Sequence, residues 1–314
     1  MRVGQNPAKF IDHVARPQKI TVAVVTYIPF LGGYYTESLD VLQACLGSLW
    51  ENSDLPYDLL VFDNASCPRV RTYLNAMAQA NRIQYLLLSD KNVGKGGAWN
   101  FIFAAAPGEI IAYADSDIYF NPGWLSASLQ ILETFPEAGM VTARPLRTPE
   151  KYYTSSLDWA RRQPDVALEN GQYVPWEVYR EHVASLGTSD EQARQWFESR
   201  SDWRVTRNGV SALISAAHFQ FTARKSTLQE CLPFEMDRPM GQVRSLDEMM
   251  NARGYLRLAA CQPLVRHMGN RLDPALAMKA PTGASQAPRG FWQIPWIRQS
   301  LLKLYDWIFK LYYG

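Results

Sequence analysis

Asp115 and Asp117 stand one residue apart where a short apolar run ends, in Ile110-Ile111-Ala112-Tyr113-Ala114-Asp115-Ser116-Asp117-Ile118-Tyr119-Phe120. The first half of this stretch reads as a buried strand, and alternation along an extended chain puts both carboxylates on one side. Like charges that close are costly unless something positive lies between them. Hard divalent cations such as Mg²⁺ and Mn²⁺ prefer oxygen ligands and fit that place. A plain polar strand end is the alternative, and D-x-D alone does not choose. Far along the chain, Pro263–Asn270 (PLVRHMGN) sets His267 shortly after an apolar strand, and imidazole ligates Mn²⁺ as well as Zn²⁺. His13 and His182 have no such context, and His218, inside an apolar run, reads as a satisfied core histidine. Asp247 and Glu248 stand together ahead of a helical stretch and the turn Gly254-Tyr255. By themselves they read as a helix N-cap and an acid favoured by the helix dipole.

The elements that position these residues follow from pattern. Lys19–Tyr27 (KITVAVVTY), Asp58–Asp63, Ile83–Leu88 and Ile110–Ala114 read as buried strands. Between them Glu37–Trp50, Val70–Asn81 and Ala98–Ala106 read as helices, the first on the apolar spacing of Leu39, Leu42, Leu46 and Leu49. Strands alternating with helices argue for a mostly parallel α/β sheet, and such sheets bind ligands beyond the C-terminal ends of their strands. Thr26, Asp63, the glycine-rich loop KNVGKGG (residues 91–97) and Asp115/Asp117 all fall at such ends. Asp63 can accept hydrogen bonds from a base or a ribose, or simply cap its own turn. The loop, with Lys95 ahead of a helix N-terminus, can cradle phosphate, or Lys95 can be a solvated lysine. Neither GxxxxGK[ST] nor GxGxxG is present. Asn100 can bond across to a strand end or lie on a helix surface.

Composition excludes several classes. The 314 residues suit one large domain or two modest ones, and a hydrophobic share of 47% supports a sizeable core. A net charge of +2 gives no footprint for nucleic acid. Cys45, Cys67, Cys231 and Cys261 lack C-x-x-C spacing, so they read as free thiols rather than a zinc site. The first eighteen residues carry no apolar signal core, and no run is apolar enough to span a bilayer. The expectation is a cytoplasmic protein, at most at the inner face of a membrane.

Taken in order, VVTY, VFDNAS, DKNVGKGGAWN, YADSD and NPGWL resemble the nucleotide-sugar-binding half of family 2 glycosyltransferases, over about Lys19–Arg144. The resemblance implies a GT-A fold, a Rossmann-like α/β architecture with a mostly parallel central sheet flanked by helices. It implies an inverting transfer of a sugar from a nucleoside diphosphate sugar to an acceptor hydroxyl. Thr26 and Tyr27 then lie beside the nucleobase, which Asp63 binds. Asn92, Gly94, Lys95 and Asn100 border the donor, with Ser116 and with Asp115 near the ribose. Asp117 is the metal ligand, with His267 and Asp115 as further candidates for Mn²⁺ or Mg²⁺. Trp124 falls where the family packs an aromatic near the acceptor, although a core tryptophan is as natural a reading. Asp247, with Glu248 beside it, matches the acid motif that carries the general base, at a spacing to Gly254 shorter than the family's. Sugar nucleotidyl transfer is disfavoured, because the basic glycine-rich N-terminal loop that holds a nucleoside triphosphate is missing. A non-catalytic protein keeping the fold is the rival, against which both acid motifs speak.

The chain is accordingly read as an N-terminal extension (1–18), a donor half (19–144), an insertion serving acceptor or oligomer contacts (145–209), an acceptor and catalytic half (210–280), and a linker with a C-terminal amphipathic helix (281–314). Within the insertion Ser189–Ser199 reads as a capped helix. In the last segment Gln299, Lys303, Asp306 and Lys310 form a narrow polar stripe against a broad apolar face. That face fits a membrane surface, its own domain or a homodimer. The acceptor is expected to be a glycan or a lipid-linked chain, in polysaccharide or glycolipid assembly.

Overall fold

The computed structural model describes residues 4–237 and 243–272, so the amphipathic stretch after Pro295 lies outside the described residues. Strand β1 (Ile20–Thr26) is buried along its whole length, as its unbroken β-branched run requires. Its side chains divide by alternation. Ile20, Val22 and Val24 pack with Leu42, Leu46 and Leu49 of α1 (Ser38–Asn52), while Ala23 and Val25 pack with Ala98, Trp99 and Ile102 on the opposite face. Each valine, leucine or isoleucine among them, fully withdrawn from water, contributes about 1.5–3 kcal/mol. β2 (Asp58–Asn64), β3 (Tyr85–Ser89) and β4 (Ile110–Asp115) extend the sheet in parallel, joined through α2 (Pro68–Gln79) and α3 (Gly94–Ala105).

The glycine loop is shorter than its composition suggests, because α3 begins at Gly94. Gly94 has φ +73°, where a side chain would be strained. A Cβ on Gly96 would stand 2.5 Å from Met236 Sδ, and one on Gly97 2.9 Å from Val93 Cβ. These glycines permit close packing of a helix start rather than a flexible loop.

Beyond β4 the chain forms β5 (Ile118–Phe120), α4 (Trp124–Thr134), β6 (Ala138–Thr142), α5 (Thr154–Arg162), β7 (Ala167–Gly171), α6 (Trp176–Ser185), α7 (Asp190–Glu198) and β8 (Asp202–Arg207). Strands were not legible between residues 145 and 207, yet β7 and β8 are there, half-exposed and charged. The helix expected near Ser189 is α7, with Ser189 Oγ accepting from Gln192 N. The apolar run from Val210 to Arg224 is two strands, β9 (Val210–Ile214) and β10 (Gln220–Arg224), broken at residues 215–219. α8 (Lys225–Gln229), α9 (Ser245–Ala252), β11 (Leu256–Ala259) and β12 (Val265–His267) complete the described chain.

Among the described residues the main sheet runs β3-β2-β1-β4-β10-β6-β11-β9-β8-β7, and β12 pairs with β5 apart from it. From β3 to β11 the strands share one direction except β10, which runs antiparallel to β4 and β6. The architecture is α/β, a mixed sheet with mostly parallel central strands flanked by helices. No helix among the described residues is long and apolar enough to cross a membrane.

Candidate active site

The C-terminal ends of β1, β2 and β4 line one rim. Thr26 and Asp63 are register partners there, and both are fully buried. Thr26 Oγ1 has no partner, which leaves a buried hydroxyl open at the rim. Asp63 is already engaged: Ser66 N donates to it at 3.3 Å and Arg71 Nε at 2.9 Å. Tyr27 is exposed and meets Tyr35 edge-on. Asn92 Oδ1 accepts from Gly94 N at 2.9 Å and from Asn64 Nδ2 at 3.0 Å. Asn64 Oδ1 also accepts from Val93 N, so Asn64 and Asn92 together hold the turn into α3.

Asn100 is removed from the expected donor contacts by its own partners. Its Nδ2 donates to Phe234 O at 2.9 Å and its Oδ1 accepts from Phe234 N at 2.7 Å. The amide is thereby spent clamping the chain whose Phe234 ring meets Trp99 and Phe103 edge-on. Trp124 is likewise corrected. It is fully buried against Phe120, with its indole N–H donating to Ser53 Oγ at 3.2 Å, so it is a core residue and offers an acceptor no surface.

The D-x-D aspartates have different surroundings. Asp115 Oδ2 accepts from Lys95 Nζ at 2.7 Å and Oδ1 from Tyr113 O–H at 2.6 Å. Each Asp115 oxygen thus has one partner, and Lys95 is a buried partner of Asp115 rather than a solvated lysine. Ser116 and Asp117 form the turn into β5. Asp117 O accepts from Met268 N, and Asp117 Oδ2 lies 3.3 Å from His267 Nε2. Asp117 Oδ1 is buried without a partner. Burial raises the Asp117 carboxyl above the usual carboxylate range, and His267 acts in the opposite sense.

Hydrogen-bond bookkeeping places a hydrogen on His267 Nδ1. Ser185 Oγ is 2.6 Å from His182 O, a carbonyl that only accepts, so the hydroxyl proton goes there. Ser185 Oγ is then the acceptor at 2.9 Å for His267 Nδ1–H. In the neutral ring Nε2 carries the lone pair and faces the Asp117 carboxylate. Two acceptors that close require a proton or a cation between them. His182, pushed down to about 3 mainly by burial, stays neutral alongside. A hydrogen on His267 Nε2 makes the contact with Asp117 an ion pair, and without one the pair presents two acceptors that a divalent cation could join. Among the described residues no third His, Cys, Asp or Glu joins them.

Asp247 and Glu248 occupy the first turn of α9. Glu248 is exposed, whereas Asp247 is 4% exposed. Asp247 Oδ1 accepts from Arg257 Nη2 at 2.5 Å, and Oδ2 lies 2.8 Å from His218 Nδ1. Arg257 is fully buried and also donates to Ala216 O and Tyr152 O. His218 is thus no core histidine, since its side chain is 28% exposed and paired. The break between β9 and β10 joins the two clusters. Ala216 and His218 reach the Asp247 group, while Phe219 O accepts from Asp115 N and the Phe219 ring meets that of His267.

Four of these residues escaped the sequence. Asn64 sat in a visible turn-forming cluster, but Ser185, His218 and Arg257 carried no local signal.

A family model described as glycosyl transferase family 2 matches residues 34–202. An uncharacterized glycosyltransferase from Nostoc sp. is 24% identical over 100 residues, 32% of this chain and 31% of that protein, so the match spans about a third of that relative's length. Among solved structures, S. aureus TarS 1–349 in complex with UDP-GlcNAc aligns with a TM-score of 0.47 at 14% identity, over 91% of this chain and 67% of that one. TarS 1–349 alone aligns at 0.44 and 14%, over 78% and 58%. The mannosyltransferase PcManGT from Pyrobaculum calidifontis, in complex with GDP-Man and Mn²⁺, aligns at 0.43 and 17%, over 78% and 55%.

Proposed function

Because the chain belongs to glycosyl transferase family 2, we propose that it transfers a sugar, with inversion, from a nucleoside diphosphate sugar to the hydroxyl of a glycan or lipid-linked acceptor. The observation that carries this reading is the Asp117–His267 pair. Its facing acceptor atoms and the unpartnered Asp117 Oδ1 lie at the sheet rim where α/β proteins bind ligands. The two would hold Mn²⁺ or Mg²⁺, with water and diphosphate oxygens completing the shell. Such an ion, when bound, supplies charge neutralisation on the leaving diphosphate.

The remaining work falls to the chain itself. Thr26, with Asp63 kept in place by Arg71 and Ser66, forms the floor for the nucleoside, and Tyr27 offers an exposed ring beside it. Asn92 and Asn64 fix the start of α3, which directs backbone N–H groups at the rim. Lys95 and Tyr113 hold Asp115 in one orientation for a ribose hydroxyl. The proton of the acceptor hydroxyl is taken up at the Asp247 cluster, and Ser185 keeps His267 in the tautomer that presents Nε2.

The test is a panel of UDP- and GDP-sugars with MnCl₂, followed by release of nucleoside diphosphate as the sugar passes to water. Slow release from at least one donor, lost on removing the metal, is the expected result. Neither release nor thermal stabilisation by any member overturns the reading.

A further inference from the structure

We propose that His218, oriented by Asp247, is the group that takes the acceptor's proton; this assignment rests on the transfer reading above. Asp247 is poorly placed to do so itself. Both its oxygens are committed, Oδ1 to Arg257 and Oδ2 to His218, and little of its surface is open. Protonating it would also leave the guanidinium of Arg257 with the Ala216 and Tyr152 carbonyls as its acceptors, in place of a carboxylate. Removing the partner of a buried ion is among the costliest changes a fold undergoes. The Arg257 guanidinium at Oδ1 is a partner for the carboxylate form of Asp247.

An ionised Asp247 only accepts, so the 2.8 Å contact at Oδ2 requires the hydrogen on His218 Nδ1. The neutral ring then carries its lone pair on Nε2. The arrangement is that of an orienting carboxylate and a histidine base. Of the three residues, only His218 exposes a substantial part of its side chain, 28% against 6% for Asp247 and 0% for Arg257. The backbone puts it in the right place. His218 precedes Phe219, whose carbonyl accepts from Asp115 N and whose ring meets His267. Among the described residues, the charged groups paired with His218 are Asp247 from α9 and, through it, Arg257 from β11.

The step balances as follows. The acceptor O–H bond breaks and its proton goes to His218 Nε2. The oxygen forms a bond to the anomeric carbon on the face opposite the leaving group. The bond from that carbon to the diphosphate oxygen breaks, and its electron pair stays with the diphosphate. The imidazolium is stabilised by Asp247 and later loses its proton to water.

The chain has four histidines, so ¹⁵N-histidine NMR resolves them when each is replaced in turn. At neutral pH His218 is expected as the Nδ1–H tautomer, reverting toward the Nε2–H form in Asp247→Asn. Release of nucleoside diphosphate from the UDP- and GDP-sugar panel is then measured for His218→Ala, His218→Asn and Glu248→Gln. General bases contribute about 10²–10⁴-fold. Loss of that size in kcat is expected for both His218 variants, with nucleotide affinity unchanged and partial recovery of His218→Ala in imidazole. An Nε2–H tautomer in the wild type overturns the proposal. So does retention of kcat in His218→Ala, and if Glu248→Gln loses it instead, the base is Glu248. A wild type that releases nothing from any donor overturns the transfer reading itself, and the role of His218 with it, whatever the tautomer shows.

Discussion

His267 Nε2 reaches 3.3 Å from Asp117 Oδ2 because β12 pairs antiparallel with β5, with His267 opposite Ile118, the residue after Asp117. A three-residue strand pair thus joins the two proposed metal ligands. MnCl₂ should raise the thermal midpoint of the wild type in the presence of UDP or GDP. A ligand at a hundred times its dissociation constant stabilises by about 2.7 kcal/mol. Asp117→Asn and His267→Ala should abolish the shift while keeping the fold. A full shift in both variants would locate the ion elsewhere.

Ser185 Oγ accepts from His267 Nδ1 and donates to His182 O, so it sets the tautomer without touching the ion. Partners of metal-bound histidines typically contribute about 10–100-fold in metal affinity. Ser185→Ala should weaken Mn²⁺ binding by that factor, and Ser185→Thr should restore part of it. Titration of free Mn²⁺ by electron paramagnetic resonance reads the difference directly. Equal affinity in Ser185→Ala and wild type would remove the role.

Asn100 makes two hydrogen bonds to the backbone of Phe234. At about 1 kcal/mol each, with part of the amide pair left unsatisfied, Asn100→Ala should lower stability by about 2–3 kcal/mol. Nucleotide affinity should stay within twofold. Urea unfolding and calorimetric titration separate the two, and a selective loss of affinity would return Asn100 to the donor site.

Trp124→Ala should cost about 3–5 kcal/mol, as for other large core aromatics, because the ring is fully buried against Phe120. Per folded molecule, donor hydrolysis should be unchanged. A stable Trp124→Ala protein with impaired turnover would contradict the core assignment.

Much of the scaffold was legible from short-range pattern. β1, β2 and β4 are apolar runs whose alternating side chains had to be covered on both faces, and helical spacing supplied the cover. From that alone Thr26, Asp63 and Asp115 fall at one rim, since parallel strands end on the same side. Tertiary structure decided which polar atoms are committed. Asp115 and Asp117 look alike in sequence, yet Lys95 and Tyr113 hold both oxygens of the first while the second keeps a buried oxygen unpartnered. His218 lay in an apolar run and read as a core histidine, whereas the break at residues 215–219 sets it against Asp247. Periodicity is a property of neighbours along the chain. The choice of hydrogen-bond partner depends on ångström-scale distances between segments far apart in sequence, and only the fold sets those.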